Sequence, residues 1–349
     1  MSLSARDAAD RGARIMTRTR VVRAERRGNQ WHVETEGPNG AATYSCQVLV
    51  NAGGPWVENI IRAVAGINST EGVRLVRGSH IVTRKLYDHD RCYFFQGTDG
   101  RIIFAIPYEQ DFTLIGTTDK DHVGPPGNPV CSTEERDYLC NFASQYFARP
   151  VTPDDVVWTY SGVRPLYNDG AKSATAATRD YVLSLDENGP PLLNVFGGKI
   201  TTHRRLAESA LSKLVSFFPE AGSAWTARVP LPGGDFPLSG VAELTADLKR
   251  RHLFLTEYWA GRLIRAYGTE AAKILNGATS AAALGRDFGA TLTEVEVLWL
   301  MAHEFAMRAT DVVWRRTKLG LRLTSEQIAA LDEFMVDAAA ARSAERAAR

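Results

Sequence analysis

Four short segments set a charged or proton-accepting side chain beside glycine or at the end of an apolar run. They are Arg77-Gly78-Ser79-His80, Ser161-Gly162-Val163-Arg164-Pro165, Thr178-Arg179-Asp180-Tyr181 and Gly197-Gly198-Lys199-Ile200-Thr201-Thr202. Arginine presents a rigid fork of donors matched to phosphate oxygens, and lysine a compact charge that can approach one oxygen. Arg164, Arg179 and Lys199, if brought together, would hold the phosphate of a small substrate. A single arginine is more often an ordinary surface charge, a reading that three in comparable strand-end contexts weaken. His80 has the side chain whose unperturbed pKa lies nearest neutral pH, so it can accept an alcohol proton. Beside Gly78 and Ser79 it reads equally as a structural histidine.

Other chemistries find less support. Cys46, Cys92, Cys131 and Cys140 form no C-x-x-C pair and have no paired histidines nearby, so neither a zinc site nor a disulfide framework is expected. His303-Glu304 lacks the H-E-x-x-H spacing, and no metal site is expected. The basic run Arg315-Arg316-Thr317-Lys318 reads as a solvated helix end, with contact to anionic lipid as the alternative.

The elements that must position these residues follow from periodicity. Ser4 to Ala13 reads as a short helix. A β-meander covers Ile15 to Arg23, Trp31 to Thr35 and a third strand from Thr43 to Asn51, with turns at Gly28-Asn29 and Pro38-Asn39-Gly40. Val48-Leu49-Val50 has the pattern of a strand buried on both faces. It leads through Gly53-Gly54 into a helix from Pro55 to about Ala65, with Trp56, Ile60, Ile61 and Val64 facing inward. Such strand-to-helix junctions are where nucleotides bind in open α/β sheets, although a glycine turn is more often only a tight connection.

Val73 to Thr118 reads as an antiparallel sheet, followed by a helix opened by the capping box Ser132-Thr133-Glu134-Glu135 and a further strand from Val156. Two strands, Arg179 to Leu185 and Leu192 to Phe196, precede a second glycine turn and a helix from Thr201 to Leu214. After Pro230-Leu231-Pro232-Gly233-Gly234 the patterns are helical, without strands, which marks a domain boundary.

Charge and length set outer limits. Lysine and arginine total 41 against 40 acidic residues, so nothing points to nucleic acid as the partner. The 349 residues suffice for two or three domains. No apolar run reaches the roughly 18 to 20 residues that span a bilayer.

At these segments the sequence resembles the FAD-dependent glycerol-3-phosphate dehydrogenases, most nearly the bacterial aerobic type. The resemblance is carried by Asp7 to Ala13, Asn51-Ala52-Gly53-Gly54-Pro55-Trp56, Val76-Arg77-Gly78-Ser79-His80, Ile115-Gly116-Thr117-Thr118-Asp119, Val157 to Leu166, Thr178-Arg179-Asp180-Tyr181, Val195 to Thr202, Leu231-Pro232-Gly233-Gly234 and Trp314 to Gly320. It implies oxidation of sn-glycerol 3-phosphate to dihydroxyacetone phosphate by hydride transfer to FAD, with electrons passing to quinone. It also implies a cytoplasmic protein peripheral on the inner face of the membrane, with a homodimer as one arrangement.

Carried over by motif, the catalytic residues are His80, Arg164 and Lys199, and the substrate cations are Arg164, Arg179 and Lys199. The choice between His80 and a water-mediated route for the proton stays open. Flavin contacts fall to Val21, Ala52, Gly53, Gly197, Gly198, Lys199, Ile200 and Thr201. The implied fold is α+β: a partial FAD-binding domain (1–62), an antiparallel substrate-binding sheet (63–175), a return segment of the FAD-binding domain (176–222) and an all-α C-terminal domain (223–349).

Two departures from the family pattern stand out. The strand, G-x-G-x-x-G turn and helix that seat the pyrophosphate have no counterpart before Ser4, so flavin is expected to be absent from this chain and the chain inactive alone. Gly53 stands where the family usually carries threonine. Alternative readings are a glycerophosphate oxidase passing electrons to oxygen and a non-catalytic interaction module.

Overall fold

The computed structural model describes residues 2–98, 100–170, 178 and 180–347. Contacts gather the chain into two units, Arg18–Ala227 and Met1–Thr17 with Arg228–Arg349.

The first unit opens with a meander of β1 (Arg20–Arg27), β2 (Gln30–Gly37) and β3 (Gly40–Cys46), in that order. Its two hairpins close over Gly28-Asn29 and Pro38-Asn39, where Gly28 takes a positive φ of 61° that suits glycine in a two-residue turn. Trp31 is fully buried and its Nε1–H donates to the Pro191 carbonyl at 2.9 Å, pinning the meander to the chain around Pro191. The third strand expected from Thr43 to Asn51 is instead two. The chain leaves the meander after Cys46, and β4 (Leu49–Asn51) runs parallel to a strand of another sheet.

That sheet contains β11 (Tyr181–Asp186) and β12 (Leu192–Gly197), in the order β11-β12-β4. The strand buried on both faces is β12, with Leu192 through Phe196 all buried. Val50 of β4 is 46% exposed, contrary to the reading of its apolar run, because β4 lies at the sheet edge. After β4 the backbone winds as a 3-10 turn (Gly54–Trp56), α2 (Val57–Asn59) and a π-turn (Ile60–Val64). Val57 and Ile61 face inward onto Phe196, whereas Trp56, expected inside, is exposed.

The six-stranded sheet is antiparallel: β5 (Val73–Arg84), β6 (Tyr93–Gln96), β7 (Ile102–Tyr108), β8 (Phe112–Gly116), β9 (Lys120–Asp121) and β10 (Val156–Tyr167), in the order β10-β5-β8-β7-β6 with β9 paired to β5. One face carries Ile81, Ile103 and Ile115 and is covered by Leu139, Phe142 and Ala143 of α3 (Thr133–Ser144). Strand side chains alternate between faces, so Gly78, His80, Gly116, Tyr160 and Arg164 share the opposite face. The unit ends with α4 (His203–Leu214), entered through a 3-10 turn at Ile200–Thr202.

The second unit is largely helical: α1 (Ser2–Asp10), α5 (Val241–Arg251), α6 (Glu257–Tyr267), α7 (Ala271–Leu275), α8 (Glu294–His303) and α9 (Ser325–Ala347), with a two-stranded hairpin, β13 (Asp287–Gly289) and β14 (Leu292–Thr293), that the sequence patterns do not reveal. Buried Arg262 of α6 donates to both carboxylate oxygens of Glu296 on α8 at 2.7 Å, and the Tyr267 hydroxyl donates to the same carboxylate. The first helix, expected in a 1–62 domain, belongs to this unit, where Arg6 pairs with Glu270 and stacks over Trp299. Nor is the basic run a solvated end. Arg316 donates to the Glu304 carbonyl and Lys318 to that of Trp314.

Candidate active site

Two residues of this opposite face form the centre of the site. His80 on β5 is paired across the ladder with Gly116 on β8 and Tyr160 on β10, and Arg164 on β10 is paired with Val76. Both side chains lie over glycine. A Cβ on Gly116 would overlap the His80 ring, and one on Gly78 would overlap the Arg164 guanidinium. The glycines of Arg77-Gly78-Ser79-His80 and Ile115-Gly116-Thr117 thus make room for the two functional groups.

The His80 ring stacks on Tyr160 with centroids 4.7 Å apart and planes 4° from parallel. Burial first, and the Arg164 charge second, push its pKa down to about 4, so the imidazole is neutral near pH 7 and able to accept a proton. Its Nδ1 is buried without a hydrogen-bond partner, which leaves Nε2 as the nitrogen that can face a reactant. Arg164 is held by Asp119, its ion-pair partner, and by Thr117, whose Oγ1 accepts from Nη2 at 3.0 Å.

The second glycine turn meets this face at the end of β10. Gly197 (φ 65°) and Gly198 (φ 94°) both need the left-handed region that favours glycine, and a Cβ on Gly197 would lie 3.5 Å from the Pro165 carbonyl oxygen, one residue past Arg164. Lys199 and Ile200 are next along the chain, both exposed. The Gly53-Gly54 turn closes the adjacent parallel strand, β4, and Gly54–Trp56 packs against both β10 and β12. Buried Asn51 ties these strands, donating to Asn194 Oδ1 at 2.9 Å, while its Oδ1 accepts from Gly53 N–H at 3.2 Å. A Cβ on Gly53 would overlap Ile60 Cδ1.

The structure therefore brings together His80, Arg164 and the Gly197–Thr201 turn, with Ala52 and Gly53 at the next strand end. Val21 lies on β1 of the separate meander, 37% exposed. Arg179 lies outside the described residues. Thr117, Asp119 and Tyr160 were not singled out by sequence, since their roles depend on which strands become neighbours. An apolar cavity of about 910 Å³ lined by Leu211, Val215, Phe217 and Trp225 is at the far end of α4, about 18 Å of helix from its start, and takes no part in this arrangement. Among the described residues no group of three or more His, Cys, Asp or Glu could hold a metal.

Together the site offers a fork for an anion, a neutral base beside it, and two glycine turns at the carboxyl ends of parallel strands that leave backbone open to a flat cofactor. The groups that would hold such a cofactor are the Gly197 to Thr201 turn and Ala52-Gly53.

A family model described as FAD dependent oxidoreductase matches residues 2–204, and one described as the C-terminal domain of alpha-glycerophosphate oxidase matches residues 224–344. The chain is 44% identical to a glycerol-3-phosphate dehydrogenase of Pseudomonas aeruginosa over 95% of its own length and 65% of that relative's. It is 41% identical to a D-erythritol 1-phosphate dehydrogenase of Brucella abortus over 97% of its length and 68% of the relative's. Its fold matches the crystal structure of a glycerol-3-phosphate dehydrogenase from Bacillus halodurans complexed with FAD, with a TM-score of 0.76 at 22% identity, over 96% of this chain and 71% of that one.

Proposed function

The chain belongs to the FAD dependent oxidoreductase family, on the branch of the bacterial glycerol-3-phosphate dehydrogenases, and from that premise we propose that it supplies the substrate face of an enzyme oxidising sn-glycerol 3-phosphate to dihydroxyacetone phosphate. The observation that carries this reading is the pairing of His80 and Arg164 side by side over Gly116 and Gly78. Arg164 takes the phosphate, aided by Lys199 and Arg179. His80 Nε2 then accepts the C2 hydroxyl proton, and the tautomer this requires keeps its own proton on Nδ1. FAD, when bound beside Gly197 to Thr201, supplies the acceptor for the hydride leaving C2. Tyr160 keeps the imidazole plane fixed while the proton moves.

A longer polyol phosphate is the second reading, favoured by the similar identity to the erythritol-phosphate enzyme. For partners, the proposal extends to quinone as the final acceptor and to peripheral membrane attachment, both supported by family resemblance alone. Calorimetry with glycerol 3-phosphate and with D-erythritol 1-phosphate on wild type and Arg164→Ala tests the reading. Loss of the fork should cost about 1.5 to 3 kcal/mol of affinity for the true substrate, and equal affinities for the two proteins would remove Arg164 from the site. Comparing peroxide yield with quinone reduction in the flavin-loaded enzyme separates an oxidase from a dehydrogenase.

A further inference from the structure

Behind the sheet, on the face opposite His80, lies a buried carboxylate. Glu135 is 5% exposed, and its Oε1 accepts from Ser79 Oγ at 3.0 Å and from Thr118 Oγ1 at 2.8 Å, while Oε2 accepts from Ser132 N–H at 3.2 Å and pairs with Arg77 at 2.7 Å. Thr118 is itself a joint. Its Oγ1 accepts from Ser79 N–H at 2.9 Å, and its own N–H donates to the Ser79 carbonyl at 3.2 Å. Ser79 is the neighbour of His80, and Thr118 stands between Thr117 and Asp119, the two groups that hold Arg164.

A charged acceptor in a low-dielectric interior makes stronger and more directional hydrogen bonds than a neutral one. One carboxylate that binds two hydroxyls, one on each segment, therefore fixes their relative position more tightly than strand pairing alone. We propose that Thr118 and Glu135 are positioning residues for the substrate: through them the helix behind the sheet sets the aim of Arg164 and its distance from His80. This rests on the reading of Arg164 as the phosphate's donor.

The test uses the full chain, glycerol 3-phosphate as probe, and five variants. Thr118→Val, nearly isosteric, removes the hydroxyl joint and should weaken binding about tenfold. Thr118→Ser, which restores the hydroxyl, should return affinity to within about twofold of wild type. Ser144→Ala loosens the far end of the same helix, where the hydroxyl accepts from Val151 N–H at 2.8 Å, and should lower thermal stability without changing affinity, which separates positioning from general destabilisation. In an Arg164→Ala background, Thr118→Val should have no further effect, because its action passes through Arg164.

Unchanged affinity in Thr118→Val, an equal loss in Ser144→Ala, or a full additional loss in the Arg164→Ala background would each overturn the proposal. Should Thr118→Val not fold, Thr118→Ala carries the same expectations. Should wild type fail to bind glycerol 3-phosphate, the substrate reading fails, and the positioning claim is decided by the Arg164 Nε–H signal in NMR. That signal should report a restricted guanidinium in wild type and Ser144→Ala and an averaged one in Thr118→Val; no difference would sink the claim.

Discussion

The fold alters the chemistry of His80 itself. Its pKa falls from an ordinary 6.5 to about 4, chiefly by burial and secondarily by Arg164. The folded protein therefore binds fewer protons than the unfolded chain between these values, so this residue's contribution to stability is complete above pH 6.5 and is lost as pH falls toward 4. A phosphate dianion on Arg164 cancels part of the cationic field and leaves the burial effect in place. An NMR titration of the His80 ring should show a midpoint near 4 in the free protein and a partial rise with glycerol 3-phosphate bound. An unmoved midpoint at saturation would place the anion away from Arg164. In the flavin-loaded enzyme, His80→Ala should lower kcat by about 10²- to 10⁴-fold, the usual range for a general base. A loss under tenfold would favour the water-mediated route for the proton.

At the scale of elements, much of the site could be read from the sequence. The capping box Ser132–Glu135 marks the start of α3 correctly, and both of its hydrogen bonds form. Ser132→Ala should cost about 1 kcal/mol, the typical value of a lost N-cap, measurable by urea unfolding. Periodicity cannot show that Glu135 also reaches two strands far away in sequence. The glycine turns at Gly53-Gly54 and Gly197-Gly198 were legible because each comes directly after a short apolar strand. The burial of β4 was not, since exposure of Val50 depends on which strand happens to stand at the sheet edge. The short hairpin of β13 and β14 escaped because two- and three-residue strands are too brief to establish alternation. At Gly53 the fit is local: Gly53→Thr should disturb the turn through Ile60, and a second change, Ile60→Val, should relieve it. Equal melting temperatures for the single and double variants would contradict that pairing.

For the whole molecule, both units rest on apolar cores, and the helical unit in addition encloses an ion pair with little access to solvent. Breaking such a pair from one side leaves an uncompensated charge, so Glu296→Ala should destabilise the helical unit by about 3 to 5 kcal/mol. The sheet unit should unfold as before. Removal of residues 2–10 should likewise weaken the helical unit, since Glu270 and Glu304 lose Arg6 and Ser2 as partners. Tryptophan fluorescence and hydrogen exchange resolved by unit would check both outcomes, and a loss centred on the sheet unit would reverse the assignment of α1.

The glycines beneath His80 and Arg164 also have a genetic consequence. Every single-base missense change in a glycine codon installs a side chain, so at Gly78 and Gly116 the genetic code offers no neutral neighbour. What a new methyl group displaces at Gly78 is the guanidinium of Arg164, a side-chain end, with the sheet backbone left in place. Alleles at that codon should accumulate as abundant, soluble, inert protein, and a screen that scores expression level would pass over them while a growth selection for phosphate-substrate oxidation would not.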